Sequence, residues 1–341
     1  DIRVALEDSW LTEWHQRSGP VDLVVGGPPC QGFSSAGSRD TDDERNKLVD
    51  EVLRVVATVG PKVVVIENVP GMLERHVDTV RRVGTSLSAP ASGPGYYVVS
   101  ELVHGETLGV PQTRKRLLIV GVRKDLISPD AHSSLLRLVF PSSCPRTAFE
   151  PNEPCLPGED HSAHDVLGDL APTPPAYGAS DASTLRYRAG ISMNEFTREM
   201  RATRSAYLGG GFASSVPKNR VTEYANHEAS RHLAPVAKRM RLLRQAATAS
   251  DDAKNRRCSS AWLRAQFMDD YPELATRKAS QRVLLADCWP NLTVTSLPDD
   301  IVHHREDRIP TVREMARLQT FPDWFTFHGV RTSGHTRRRA G

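Results

Sequence analysis

Apolar positions along the chain alternate between two periods, and the changes of period mark out its elements. Leu23 to Val25 is a short apolar run that predicts a buried strand, and it runs into Gly26-Gly27-Pro28-Pro29. A polar stretch through Glu44 follows. Leu48, Val52, Val55, Val56 and Val59 then recur on one face at helical spacing until Gly60-Pro61 ends them. Lys62 to Ile66 predicts a second strand, with Glu67-Asn68-Val69-Pro70-Gly71 directly at its end. Residues 95–104 read as another strand, Gly109 to Arg116 as a turn, and Leu117 to Gly121 as the returning strand of a hairpin. Thr311-Val-Arg-Glu314 is a capping box opening a helix that runs to about Gln319 and stops before Phe321-Pro322. Ahead of all these lies a short amphipathic segment through Trp14.

Strand, crossover helix, strand is a parallel unit with a right-handed connection, so both strands end at the same edge of the sheet. Ligands bind at that edge in open α/β folds. Cys30 and Glu67 sit just past the two strand ends, so a thiol and a carboxylate become expected neighbours although 37 positions separate them. Taken alone, a free cysteine is more often an inert core residue than a nucleophile. A glutamate after four β-branched residues, however, is a poor core residue unless something pairs with it. Arg114 and Arg116, two apart, point to one side of an extended segment. On pattern alone they are as readily a solvated surface pair.

Composition narrows the setting. At 341 residues the chain can bury a full core, with one large domain and a smaller one as the natural division. A net charge of +3 permits nucleic acid without arguing for it. Five irregularly spaced cysteines (30, 144, 155, 258 and 288) suit a reducing compartment better than a disulfide framework. Neither Cys144 with Cys155 nor His303-His304 has metal-site spacing. No apolar run approaches a membrane span and no signal-peptide pattern opens the chain, so a soluble cytoplasmic protein is expected.

Between 125 and 288 prolines cluster and element signals weaken. Basic residues gather between Arg231 and Arg244 (Lys238, Arg239, Arg241) and at Lys254, Arg256 and Arg257, interleaved with Tyr207, Phe212 and Tyr224. Such a run is usually a solvated face. With aromatics between the charges, it also suits backbone and base contacts to nucleic acid.

The motifs together resemble the C5-cytosine DNA methyltransferases. The resemblance lies in Gly-Gly-Pro-Pro-Cys30-Gln-Gly-Phe-Ser34, in Glu67-Asn68-Val69, in the Gln112-Thr-Arg114-Lys-Arg116 block, and in Thr311-Val-Arg-Glu-Met-Ala-Arg-Leu-Gln-Thr-Phe-Pro322. It covers residues 1 to about 123 and about 289 to 341. It implies an α/β fold: a doubly wound Rossmann-like sheet of the S-adenosylmethionine-dependent kind, plus a smaller irregular target-recognition domain. The expected division is a catalytic domain over 1–124, target recognition over 125–288, and a late motif helix over 289–341 returning to the catalytic domain. It implies Cys30, Glu67, Arg114 and Arg116 as catalytic residues, the two arginines serving phosphate contacts and the flipped cytosine with Arg116 at the base, and S-adenosylmethionine held by Asp1, Pro29 and Leu48. Gln31, Ser34 and Arg45 are implied at the DNA. The partners implied are double-stranded DNA and a cognate restriction endonuclease, with the chain itself a monomer near the bacterial nucleoid.

In the resembling family a Gly-rich cofactor loop precedes the position matched by Asp1, and an Asn-containing segment follows the position matched by Gly341. Both ends of the chain are therefore expected to be truncated. Two further readings stand beside this one: within the family a tRNA cytosine-5 methyltransferase, and from a different class an inactive DNA-binding remnant. A cysteine hydrolase would rely on His104 and lacks recognisable oxyanion elements. A zinc deaminase would need a second cysteine where Phe33 stands.

Overall fold

In the computed structural model, placement is described for residues 9–29, 48–90, 93–128, 162–173, 184–203, 220–230, 232–249, 282–283, 293–294 and 300–328. The chain divides into two compact units, 1–107 with 115–147 and 108–114 with 148–341. This division by contact differs from the boundaries at 124 and 288 read from the sequence. It assigns 108–114 and the late helix to the unit that contains the irregular middle of the chain.

The first unit is built on one four-stranded sheet ordered β1-β2-β4-β3, with β1 Leu23–Gly26, β2 Val63–Asn68, β3 Tyr96–His104 and β4 Lys115–Arg123. β1 and β2 are parallel, joined through helix α2 (Leu48–Val59), as the apolar spacing predicts. β4 enters antiparallel to both β2 and β3, so the hairpin expected from 95–121 is present. One face of the sheet is dry. Val64, Ile66, Leu117 and Ile119 pack there against Val49, Val52 and Val56 of α2, Met72 of α3 (Pro70–Arg75), and Val80, Val83 and Leu87 of α4 (Val77–Ser88).

The opposite face carries a small cluster around Val99 and Val120, edged by Val63, Val65, Tyr97 and Val122. Leu23 and Val25 point to this face from the edge strand and remain 53% and 66% exposed. The expectation of a buried β1 is therefore corrected: only Val24 faces the core. Among the described residues β1 pairs on one side and no layer covers one of its faces, so part of its apolar surface stays exposed. Helix α1 (Trp10–Ser18) also buries none of its residues, and Trp10 and Trp14 stack in the open with centroids 6.4 Å apart.

The second unit is short in regular structure and rich in buried charge. Its described helices are α5 (Ala163–Leu167), α6 (Glu195–Met200), α7 (Ala234–Ala249) and α8 (Val312–Arg317), with two-residue strand pairs β5·β6 (Leu185–Arg186, Glu223–Tyr224) and β7·β8 (Arg282–Val283, Ile301–Val302). The predicted capping box at Thr311 and Glu314 opens α8. Arg313 and Arg317 of that helix are fully buried. Arg317 grips Asp169 at 2.5 Å and Asp323 at 2.6 Å, and Asp323 also accepts from the Tyr187 hydroxyl at 2.7 Å. Arg308 forks onto Glu314 at 2.7 and 2.8 Å. Burial raises the Glu314 carboxyl, but the hydrogen bonds from Arg308 and the adjacent His303 outweigh it and hold the group well below 4.5.

Tyr224, expected among aromatics facing nucleic acid, is instead a core residue whose hydroxyl accepts from the Ala171 amide at 2.7 Å. Two of the clustered arginines on α7, Arg241 and Arg244, converge on Asp307 at 2.7 and 2.8 Å.

Two predictions follow from this packing. A Cβ on Gly26 would lie 2.8 Å from Val52 Cγ1, so Gly26→Ala should cost about 1–3 kcal/mol in denaturant unfolding through overpacking. Adding Val52→Ala should recover about 1 kcal/mol or more of the summed losses. The second concerns pH. Burial, with His303 and Arg305 nearby, pushes His304 down to about 2, and His227 is lowered as well. The unfolded chain therefore takes up protons below about 6.5 that the folded chain refuses. His304 should remove up to about 1.4 kcal/mol per pH unit as pH falls below 6.5, His227 adds a loss in the same direction, and Glu314 adds its own loss below 4.5. Chemical unfolding across pH 7 to 5 should show this decline, and His304→Phe should flatten it.

Candidate active site at the carboxyl edge of the sheet

β1 and β2 both deliver their C-terminal ends to one edge, and the antiparallel β4 begins at that same edge. The register pairs Glu67 with Leu118 and Asn68 with Leu117. Arg116 is therefore a diagonal neighbour of Glu67 on the same face, within reach of long side chains. Arg116 Nε meets Glu67 Oε1 at 2.6 Å, and the two side chains stay 26% and 42% exposed. Arg116 also donates from Nη1 to its neighbour's carbonyl, Lys115 O, at 2.7 Å. A carboxylate and a guanidinium thus stand together, open to solvent, at the place where the topology puts a ligand.

The loop after β1 approaches from the other side. A Cβ on Gly27 would lie 3.7 Å from Glu67 Oε2, so the loop backbone runs alongside the carboxylate. Asn68 is buried, reaches Pro28 O from Nδ2 at 3.5 Å, and accepts the Val69 amide at 2.9 Å where α3 begins. Pro28 is buried and Pro29 exposed, so the stiff dipeptide leads the chain out of the sheet beside Glu67. Cys30 follows Pro29 directly; with Asp1, Gln31, Ser34 and Arg45 it lies outside the described residues. Leu48, in the first turn of α2 at this same edge, is half-buried.

The two arginines of the Gln112–Arg116 block have different surroundings. Arg116 belongs to β4 and pairs with Glu67. Arg114 precedes the strand, and its Nη1 reaches Val294 O at 3.4 Å within the second unit. Of the expected site residues, the structure brings Glu67 and Arg116 together. Gln112, quoted with the motif but given no role from the sequence, is 2% exposed and makes two backbone contacts. The motif marks the residue, and only its partners reveal what it does. His104, the candidate base for a hydrolase, has Nδ1 3.5 Å from Glu106 Oε1.

Comparison with known proteins turns on the family match. The family model for C-5 cytosine-specific DNA methylases matches residues 8–341. The chain belongs to this family. The Type II methyltransferase M.XorII of Xanthomonas oryzae pv. oryzae is 30% identical over 92% of the chain and 63% of its own length. M.DdeI of Desulfomicrobium norvegicum is 26% identical over 92% and 65%. The methylase-family chain thus spans just under two thirds of the length of these curated relatives. A solved structure from Escherichia coli, described as a DNA modification methyltransferase encoded within a prophage, superposes with a TM-score of 0.57. It is 21% identical and covers 96% of this chain and 76% of its own. That likeness agrees with the methyltransferase α/β fold expected from the motifs. Among the described residues no helix is long and apolar enough to cross a membrane.

An exposed ion pair contributes little to stability, in the range of 0–1 kcal/mol. Arg116→Met should accordingly change the unfolding free energy by less than about 1 kcal/mol, measured by urea titration. A larger loss would make the pair a structural clamp rather than part of a site.

Proposed function

We propose that this chain is the catalytic and recognition part of a DNA cytosine-5 methyltransferase of the restriction–modification type, acting through Cys30. The Glu67–Arg116 pair carries the reading: a carboxylate held in the open beside the loop that leads into Cys30. A cytosine stacked in duplex DNA cannot offer its C6 to a thiol, so the base must be swung out into the site. The Cys30 thiolate then adds to C6. Glu67 holds N3 and its proton, which stabilises the enamine and makes C5 nucleophilic. Arg116 balances and orients that carboxylate. Loss of the C5 proton after methylation lets the electrons return and expels Cys30 from C6.

S-adenosylmethionine, when bound, supplies the electrophilic methyl group. The residues present fit it as far as they are described. Pro29 is exposed and Leu48 half-buried at the same edge, so both can pack on such a ligand. Asp1 would meet its adenine. Gln31, Ser34 and Arg45 follow the base and approach the DNA, while residues 125–288 read the target sequence. Double-stranded DNA is the substrate, a cognate endonuclease the functional counterpart, and the protein works as a monomer in the cytoplasm.

The test uses duplex DNA in which 5-fluorocytosine replaces the target cytosines, incubated with S-adenosylmethionine. Fluorine cannot leave C5 as a proton does, so the Cys30 adduct should accumulate as a denaturation-resistant complex. Cys30→Ala should abolish it. Glu67→Gln should slow its formation by about 100-fold or more, the usual range for removing a proton-handling group. Duplex binding without any adduct would mean a DNA-binding protein that does not methylate.

A further inference from the structure

We infer that Gln112 is a positioning residue for Arg114, and that it sets the direction from which that arginine meets the DNA backbone. The inference rests on the methyltransferase reading above. Gln112 is almost wholly buried, and both ends of its amide are used. Nε2 donates to Leu318 O at 2.9 Å, one of the carbonyls that the end of α8 leaves without a helical partner. Oε1 accepts the Val294 amide at 3.0 Å. The other side of the same residue, Val294 O, takes Arg114 Nη1 at 3.4 Å. Gln112 and Arg114 therefore grip one peptide segment from its N–H and its C=O.

The residue between them adds to the grip. Thr293 Oγ1 donates to Thr113 O at 2.6 Å and lies 3.2 Å from Thr113 Oγ1. Upstream, the Gln112 amide closes a tight turn onto Val110 O at 2.7 Å around Pro111, whose ring fixes φ. Residues 110–114 are thus held at consecutive positions, and the buried amide is the contact that ties them to α8. Arg114, only partly buried, sits at the end of this ladder. A flexible arginine loses less freedom on meeting a phosphate when its backbone and stem are already fixed. Losing Gln112 would release Val294, the group that directs Arg114.

The test measures how the affinity of the full chain for duplex DNA depends on salt. Each phosphate neutralised contributes about 0.9 to the slope of log affinity against log salt. Arg114→Ala should reduce the slope by about 0.9. Gln112→Leu should reduce it by a similar amount, and the double variant should show no further fall. A merely structural loss of folded protein lowers affinity equally at every salt concentration and leaves the slope intact. Thr293→Val, which removes the hydroxyl tie without touching a buried amide, should shift the slope in the same direction if Gln112→Leu does not fold.

A full slope in Gln112→Leu, or in Thr293→Val where the first variant fails to fold, beside a reduced slope in Arg114→Ala overturns the inference. An unchanged slope in Arg114→Ala overturns it too. If the unaltered chain does not bind duplex DNA, the functional reading itself falls, and the inference with it.

Discussion

The register of β4 against β2 is the constraint on which the site depends. An antiparallel strand entering beside a parallel pair brings its first residues to the edge where the pair ends. With Glu67 opposite Leu118, Arg116 has to be the diagonal neighbour of the carboxylate on the same face. A slip of one residue would turn Arg116 toward the core and Leu117 toward solvent. Burial of Leu117 and Ile119 against α2, α3 and α4 prevents that slip. The packing of the dry face thus fixes the chemistry of the wet one.

The second unit is held differently. Beside its apolar clusters, α8 carries three buried charged residues on little more than a single turn. Desolvating such charges is costly, and their mutual attraction offsets the cost only when every donor and acceptor is met. Here Arg317 meets two carboxylates, Glu314 meets a forked arginine, and Arg313 spends its donors on the carbonyls of Ala225, Pro322 and Phe325. Such an arrangement tolerates little variation in geometry. The Gln112–Leu318 hydrogen bond ties the end of α8 to the ladder that runs to Arg114.

Much of the first unit was legible in the sequence because its signals are periodic. The valines of α2 and the Val63–Ile66 run give the right elements, and the two glycines and two prolines mark the loop between them. The parallel connection then places Glu67 correctly without any contact information. The exposure of Leu23 and Val25 was not legible, since an apolar run does not say whether a layer covers it. Nor was the fate of Tyr224, because an aromatic among basic residues looks the same in a core as at an interface. The buried network and the Gln112 clasp join partners from six to more than 200 positions apart, and no periodic pattern encodes those pairings. The proposed nucleophile, Cys30, rests on its motif, and it lies outside the described residues.

The central claim is that Glu67 and Arg116 act as one unit on the flipped base. A double-mutant cycle of Glu67→Gln and Arg116→Met, read as the rate of the Cys30 adduct on 5-fluorocytosine duplex DNA, measures it directly. The account predicts that the second substitution adds little to the first, with a coupling of more than about 1 kcal/mol. Effects that simply add, within about 0.3 kcal/mol, would contradict it.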